Sequence, residues 1–274
     1  MFSSPSEIAD FTVNIGVRKA NISAVNQFIL GILAGAFIAF GAQASNIAAH
    51  TISDISTAKF IGGLIFPAGL MLVLMAGAEL FTGNCLMVMA LAEKQITMIQ
   101  LLRSWLVVYL GNLTGSILAA FLISWSGQLN YTAGLLGGFT IKAAAGKTSL
   151  TFTQAFVLGI FCNWLVCLAV WTSFGAKDGI SKAVCVFFPI WLFVASGFEH
   201  SIANMYYIPA GILAKSCLSY ITKALELGVS QQAIDSLNWC SMFTKHLLPV
   251  TLGNILGGAG FVGCVYWFVY RNGR

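Results

Sequence analysis

Two short stretches of the chain carry the side chains with chemistry to offer. Glu79-Leu-Phe-Thr82-Gly-Asn84 and Glu199-His200-Ser-Ile-Ala-Asn204 each place a carboxylate five residues ahead of an amide, and the second adds an imidazole that titrates near neutral pH. Both lie within apolar sequence, Phe60 to Leu91 and Ala183 to Ala214. A charge at bilayer depth costs about 2.5–3.5 kcal/mol on insertion scales, so it is retained where it faces a pathway, a partner or water. The same device used twice points to a pore built from two related halves.

The elements that position these groups follow from composition. Of 274 residues 58% are hydrophobic and 8% charged, against the roughly 25% charged of a soluble domain. Apolar runs occur at about Phe28 to Ala49, Phe60 to Leu91, Leu101 to Trp125, Phe152 to Phe174, Ala183 to Ala214 and Leu247 to Tyr270. Each meets the roughly 20 residues a helix needs to cross a bilayer. The runs are continuous, unlike the short alternating segments of a β-barrel. The expected fold is an all-α membrane protein with six transmembrane helices. Seven scattered cysteines read as small core residues, and neither a metal nor a cofactor is expected. The first 22 residues lack the apolar run of a signal peptide. Ser4-Pro5-Ser6-Glu7 instead sets out a helix cap, followed by Ile8, Phe11 and Ile15 at helical spacing. This helix is expected in the membrane interface or packed on a neighbouring subunit.

With six spans, one side holds eight basic residues, Arg18, Lys19, Lys94, Arg103, Lys177, Lys182, Arg271 and Arg274, and the other six, which favours cytoplasmic termini in a cell inner or plasma membrane. The halves also match internally. Phe28-Ile-Leu-Gly31 pairs with Phe156-Val-Leu-Gly159, Glu79 to Asn84 with Glu199 to Asn204, and Leu110-Gly111-Asn112-x-x-Gly115 with Leu252-Gly253-Asn254-x-x-Gly257. Three matches in one order describe a single transmembrane domain over 1–274: an amphipathic helix in 1–22, a first repeat in 23–126 and a second in 152–270. Three spans per repeat, an odd number, invert the second copy, so matching elements meet near the midplane. The Gly-Asn-x-x-Gly pieces are read as helix-packing sites, with His50 at a helix end and His246 in a loop.

The second and fifth runs, 32 residues each, are too long for one perpendicular crossing and too short for two. Interrupted helices fit, with breaks at Gly77 and Gly83 and at Gly197, and Pro209 following. Such breaks present half-helix N-termini, which attract anions. Glu79, Thr82, Asn84, Glu199 and Asn204 are the supply of hydrogen bonds for the exposed backbone; direct contact with a permeant species is the sharper reading, for Thr82 first. His200, beside Glu199 in a break, is read as functional. Phe66, Leu70, Phe81 and Phe193 are candidates for apolar constrictions that exclude hydrated ions.

Ser196-Gly-Phe-Glu199-His200-Ser-Ile-Ala-Asn204-Met-Tyr-Tyr-Ile-Pro209, together with Ala78-Glu-Leu-Phe-Thr82 and Pro249-Val-Thr-Leu-Gly-Asn254, resembles the formate/nitrite transporter family from about residue 8 to 270. The resemblance implies an aquaporin-like homopentamer in the lipid bilayer, each protomer passing small monovalent anions such as formate, nitrite or hydrosulfide. It makes His200 and Thr82 the central pair, supported by Glu199 and Asn204. Phe66, Leu70 and Phe193 become the cytoplasmic narrowing, Leu80 and Phe81 the outer one, and Lys147 a vestibule lysine. Thr148, Ser149 and Leu150 depart from the His-bearing sequence expected of formate channels, which weakens formate as the specific cargo.

Other classes are less well served. A water or glycerol channel of the aquaporin type would carry two Asn-Pro-Ala sequences, absent here, and an ammonium channel a pair of pore histidines. A membrane-embedded enzyme would need several converging ligands or catalytic groups beside the single Glu199-His200 pair. No nucleic-acid partner is expected.

Overall fold

The computed structural model describes residues 2–271, and every regular element among them is helical. Arg274, counted above among the basic residues, lies outside the described residues. The N-terminal helix α1 (Pro5–Ala20) starts as its sequence dictates. The Ser4 hydroxyl accepts from the Glu7 N–H while the Glu7 carboxylate accepts from the Ser4 N–H, and Pro5 fills the first turn. α1 buries Ile8, Ala9, Thr12, Val13, Gly16 and Ala20 against its own chain. Gly16 lets it lie so close to Ala90 that an added Cβ would stand 2.8 Å from the Ala90 Cβ.

Among the described residues, five helices are long and apolar enough to cross a membrane: α2 (Ala24–Ala49), α3 (Ile55–Ala76), α5 (Met98–Trp125), α7 (Phe152–Gly175) and α12 (Trp239–Tyr270). Ser23, Thr97 and Thr151 cap α2, α5 and α7 with their hydroxyls, the last two as capping boxes with Gln100 and Gln154. The sixth crossing is made of two shorter pieces, α8 (Gly179–Ala195) and α9 (Ser201–Ala214), and α3 likewise continues beyond an interruption as α4 (Phe81–Ala92). The six-span expectation therefore stands, but several boundaries move. α3 begins at Ile55 rather than Phe60, because Asp54 caps it. α12 begins at Trp239 rather than Leu247, extended by wide-turn segments at Met242–Leu247 and Leu256–Cys264. The stretches read as loops also fold, into α6 (Leu135–Thr148), α10 (Leu218–Glu226) and α11 (Gln231–Ser236).

The glycine-asparagine pieces do the packing work expected of them. α2 and α5 cross with backbones in contact: an added Cβ on Gly35 would stand 2.2 Å from the Asn112 carbonyl oxygen, and one on Gly115 1.9 Å from that of Ile32. α7 and α12 repeat the crossing: an added Cβ on Gly253 would stand 2.1 Å from the Phe156 carbonyl oxygen, and one on Gly257 2.1 Å from that of Ile160. The two helix interruptions sit between these crossings.

Candidate functional site: two helix breaks and the pore between them

Each interruption starts at a glycine in the left-handed region, Gly77 at φ +80° and Gly197 at φ +71°, which ends the preceding helix without a side-chain clash. Gly83, expected as a second break point, lies inside α4, and Pro209 lies inside α9. The opened backbone is then satisfied in the same way twice. Glu79 N–H donates to the Leu30 carbonyl and Glu199 N–H to the Leu158 carbonyl. Asn112 Oδ1 accepts from Phe81 N–H while its Nδ2 donates to the Gly31 and Glu79 carbonyls. Asn254 does the same for Ser201 N–H, Gly159 and Glu199. So the first N–H of each half-helix is taken by an amide rather than left for a solute, and the two asparagines both stitch the breaks and pack the crossings.

The acidic residues are also matched. Glu79 Oε1 pairs with the Lys19 ammonium at 2.7 Å and its Oε2 accepts from Asn84 Nδ2 at 2.8 Å; Lys19 also donates to Asn84 Oδ1. Glu199 Oε2 pairs with Lys147 at 2.9 Å and accepts from Asn204 Nδ2 at 2.7 Å. The Lys147 ammonium stands 5.2 Å from the Tyr207 ring centre, in cation–π range. Buried carboxylates are thus neutralised where they stand, as low-dielectric surroundings require.

At the centre, the His200 ring caps α9. Its Nδ1 accepts from the Ala203 N–H at 3.1 Å, so in the neutral ring the proton sits on Nε2, which donates to the Thr82 hydroxyl oxygen at 2.9 Å. The Thr82 hydroxyl proton is left uncommitted by this pair.

Two open vestibules approach the centre from opposite faces. One, about 450 Å³, is lined on the face of the termini by Lys19, Arg18, Glu79, Asn84, Leu70 and Leu80. The other, about 540 Å³, reaches from Lys59, Lys142 and Lys147 down to Phe66, Phe193 and His200. A small cavity of about 10 Å³, room for a single water-sized particle, shares Leu70 and Leu80 with the first vestibule and Phe66, Phe193 and His200 with the second. The expected grouping of the constrictions is corrected by this arrangement. Leu80 faces Leu70 across the termini-side narrowing, whereas Phe66 and Phe193, edge to face at 5.5 Å, close the other. Phe81 lines none of these spaces; its ring packs against Trp105 and Tyr109.

Two participants escaped the sequence reading. Lys19 is the first-half counterpart of Lys147, and the signal was there: each lysine stands nine residues ahead of its Phe-x-Leu-Gly match. His246, expected in a loop, is buried in α12 with Nε2 2.7 Å from Asn204 Nδ2 and 3.4 Å from Glu199 Oε2.

Comparison with known proteins decides the family. A family profile described as "Formate/nitrite transporter" matches residues 6–268. The chain belongs to the formate/nitrite transporter family. The formate channel FocA of Escherichia coli (strain K12) is 39% identical over 97% of this chain and 94% of its own length. A probable formate transporter of Methanothermobacter thermautotrophicus is 38% identical over 98% and 97%. Among solved structures, a pentameric formate channel with formate bound aligns at a TM-score of 0.80 and 36% identity, covering 90% of this chain and 97% of that one. An FNT family ion channel aligns at 0.81 and 29%, covering 96% and 98%. The formate/nitrite transporter chain described here is accordingly an integral membrane channel or transporter and not an enzyme.

Proposed function

We propose that each protomer conducts small monovalent weak-acid anions, of the formate, nitrite or hydrosulfide class, along the line from Lys19 through Thr82 and His200 to Lys147. The observation that carries this reading is the His200–Thr82 pair, whose imidazole is the one polar side chain lining a one-water cavity that shares its apolar walls with both vestibules. The basic vestibules concentrate anions. Leu70 with Leu80, and Phe66 with Phe193, then strip water from the solute, and a dry ion is costly to hold. The Thr82 O–H, its oxygen already held by His200, supplies a donor there. A proton on His200 Nδ1 would break the bond from Ala203 N–H, so the ring serves as a neutral donor, and the proton that turns the anion into its neutral acid comes from vestibule water. His200 influences anion protonation by stabilising the solute at that point.

Residues 23–126 and 152–270 as inverted copies, cytoplasmic termini and a homopentamer complete the proposal; the matched breaks, the basic bias and the pentameric relative support them. The test is stopped-flow uptake into proteoliposomes of formate, nitrite and hydrosulfide against chloride and glycerol. Uptake of at least one weak-acid anion with exclusion of glycerol is expected. Passage of glycerol but of no anion overturns the reading.

A further inference from the structure

The two halves neutralise their carboxylates alike, but they differ in what holds the lysine backbone and the asparagine oxygen. In the first half Gln27 Nε2 donates to the Lys19 carbonyl, and Lys19 itself satisfies Asn84 Oδ1. In the second half His246 Nδ1 takes the Lys147 carbonyl at 2.9 Å, and Asn204 Oδ1 is buried without a partner. Counting back from the matched asparagines, His246 stands eight residues before Asn254, as Ser104 does before Asn112. A titratable ring therefore occupies a place that the other half gives to a hydroxyl.

The hydrogen-bond arithmetic around this ring is rigid. Glu199, ionised and paired with Lys147, only accepts, so the amide of Asn204 must turn Nδ2 toward it. The same Nδ2 also faces His246 Nε2 at 2.7 Å, and Nδ1 must carry a proton to donate to the Lys147 carbonyl. Nε2 is thus bare in the arrangement observed. A proton added there puts two donors face to face. The relief at hand is for Nε2–H to take Glu199 Oε2, now 3.4 Å away, and for Asn204 to leave it. Asn204 has somewhere to go, because its unpartnered Oδ1 can rotate to accept.

We propose that His246 is a positioning residue that ties the vestibule lysine to pH, and this rests on the anion-channel reading above. With the ring neutral, Lys147 and Glu199 cancel. With it protonated, one carboxylate is shared by two cations and the vestibule opposite the termini gains a unit of positive charge, which tightens capture of an anion there. The charged and titratable groups facing the ring are Glu199 in the α8–α9 break and Lys147 on α6. Cys162 on α7 lies within the field of both, and Tyr207 on α9 faces the Lys147 ammonium. Lys245 is adjacent on α12 itself.

The experiment compares the wild type with H246N and H246Q in proteoliposomes, reading KM for formate uptake from pH 7.5 to 5.5. Formate remains an anion across that range. The wild-type KM is expected to fall about threefold or more on acidification, as a gained charge in a partly wet site dictates, and the fall is expected to vanish in both variants while uptake persists. Variants that keep the wild-type KM profile overturn the proposal. A second reading needs no transport: nitrogen-15 spectra of labelled histidine in the wild type, assigned with H246N, are expected to show the His246 Nε2 passing from bare to protonated between pH 8 and 5. A ring bare at pH 5 overturns the proposal even if anions are carried, whereas a wild type that carries no anion yet shows the titration counts against the channel reading alone.

Discussion

His200 Nε2 donates to the Thr82 hydroxyl across 2.9 Å, joining two helix breaks whose residues stand 118 apart in the chain. The contact fixes the ring's tautomer from one side while the Ala203 N–H fixes it from the other. The Thr82 hydroxyl is thus oriented by an imidazole.

Thr82→Val removes that hydroxyl at nearly constant volume. A hydrogen bond to a charged group is worth about 1.5–3 kcal/mol, so initial anion flux is expected to fall about ten- to a hundredfold. Thr82→Ser keeps the donor and is expected to keep most of the flux. Stopped-flow uptake measured on both variants separates loss of the donor from loss of shape.

Asn112→Ala leaves Phe81 N–H and the Glu79 carbonyl without partners, and Asn254→Ala does the same to Ser201 N–H and the Glu199 carbonyl. Each orphan costs about 1–3 kcal/mol, so severe loss of thermal stability is expected from either change. Melting followed by size-exclusion chromatography in detergent checks this, and two variants that melt like the wild type would show that the breaks hold themselves.

The termini-side narrowing depends on bulk alone. Leu70→Ala combined with Leu80→Ala opens the wall shared by the vestibule and the central cavity. Because Phe66 and Phe193 still close the other narrowing, glycerol exclusion is expected to be lost only when Phe193→Ala is added, while formate still passes, read as osmotic swelling in glycerol. Phe81→Ala, outside these spaces, is expected to leave glycerol excluded.

The cap of α1 gives a pH dependence with a definite sign. Hydrogen bonds from the Ser4 backbone N–H, and secondarily its hydroxyl, hold the Glu7 carboxyl below the usual carboxylate range. A depressed value in the folded state means that the contribution is present above the ordinary carboxylate pKa, about 4.3, and is lost as pH falls below it. Amide exchange in the first turn of α1 is therefore expected to be slower at pH 7 than at pH 3 after correction for intrinsic rates. Glu7→Gln should abolish the difference.

Much of the site was legible because its signals are local. Glu79 and Asn84, or Glu199 and Asn204, are five residues apart, and Gly77 and Gly197 mark the breaks in the same short windows. What stayed hidden depends on long reach. Lys19 meets Glu79 60 residues on, from a helix that carried every mark of a peripheral element. His246 meets Asn204 because α12 starts a turn and more before its apolar run does, so a residue that reads as loop turns inward. The constrictions were misgrouped for a related reason: Leu80 sits in an extended break, where helical spacing no longer tells which way a side chain faces.

The crossings of α2 with α5 and of α7 with α12 touch main chain to main chain, with no room for even a methyl group between them. Neither pair can come closer. A frame packed this closely at two places favours the proposed conduction path as an aperture rather than a rocker, and would leave admission to the side chains of Phe66, Phe193, Leu70 and Leu80.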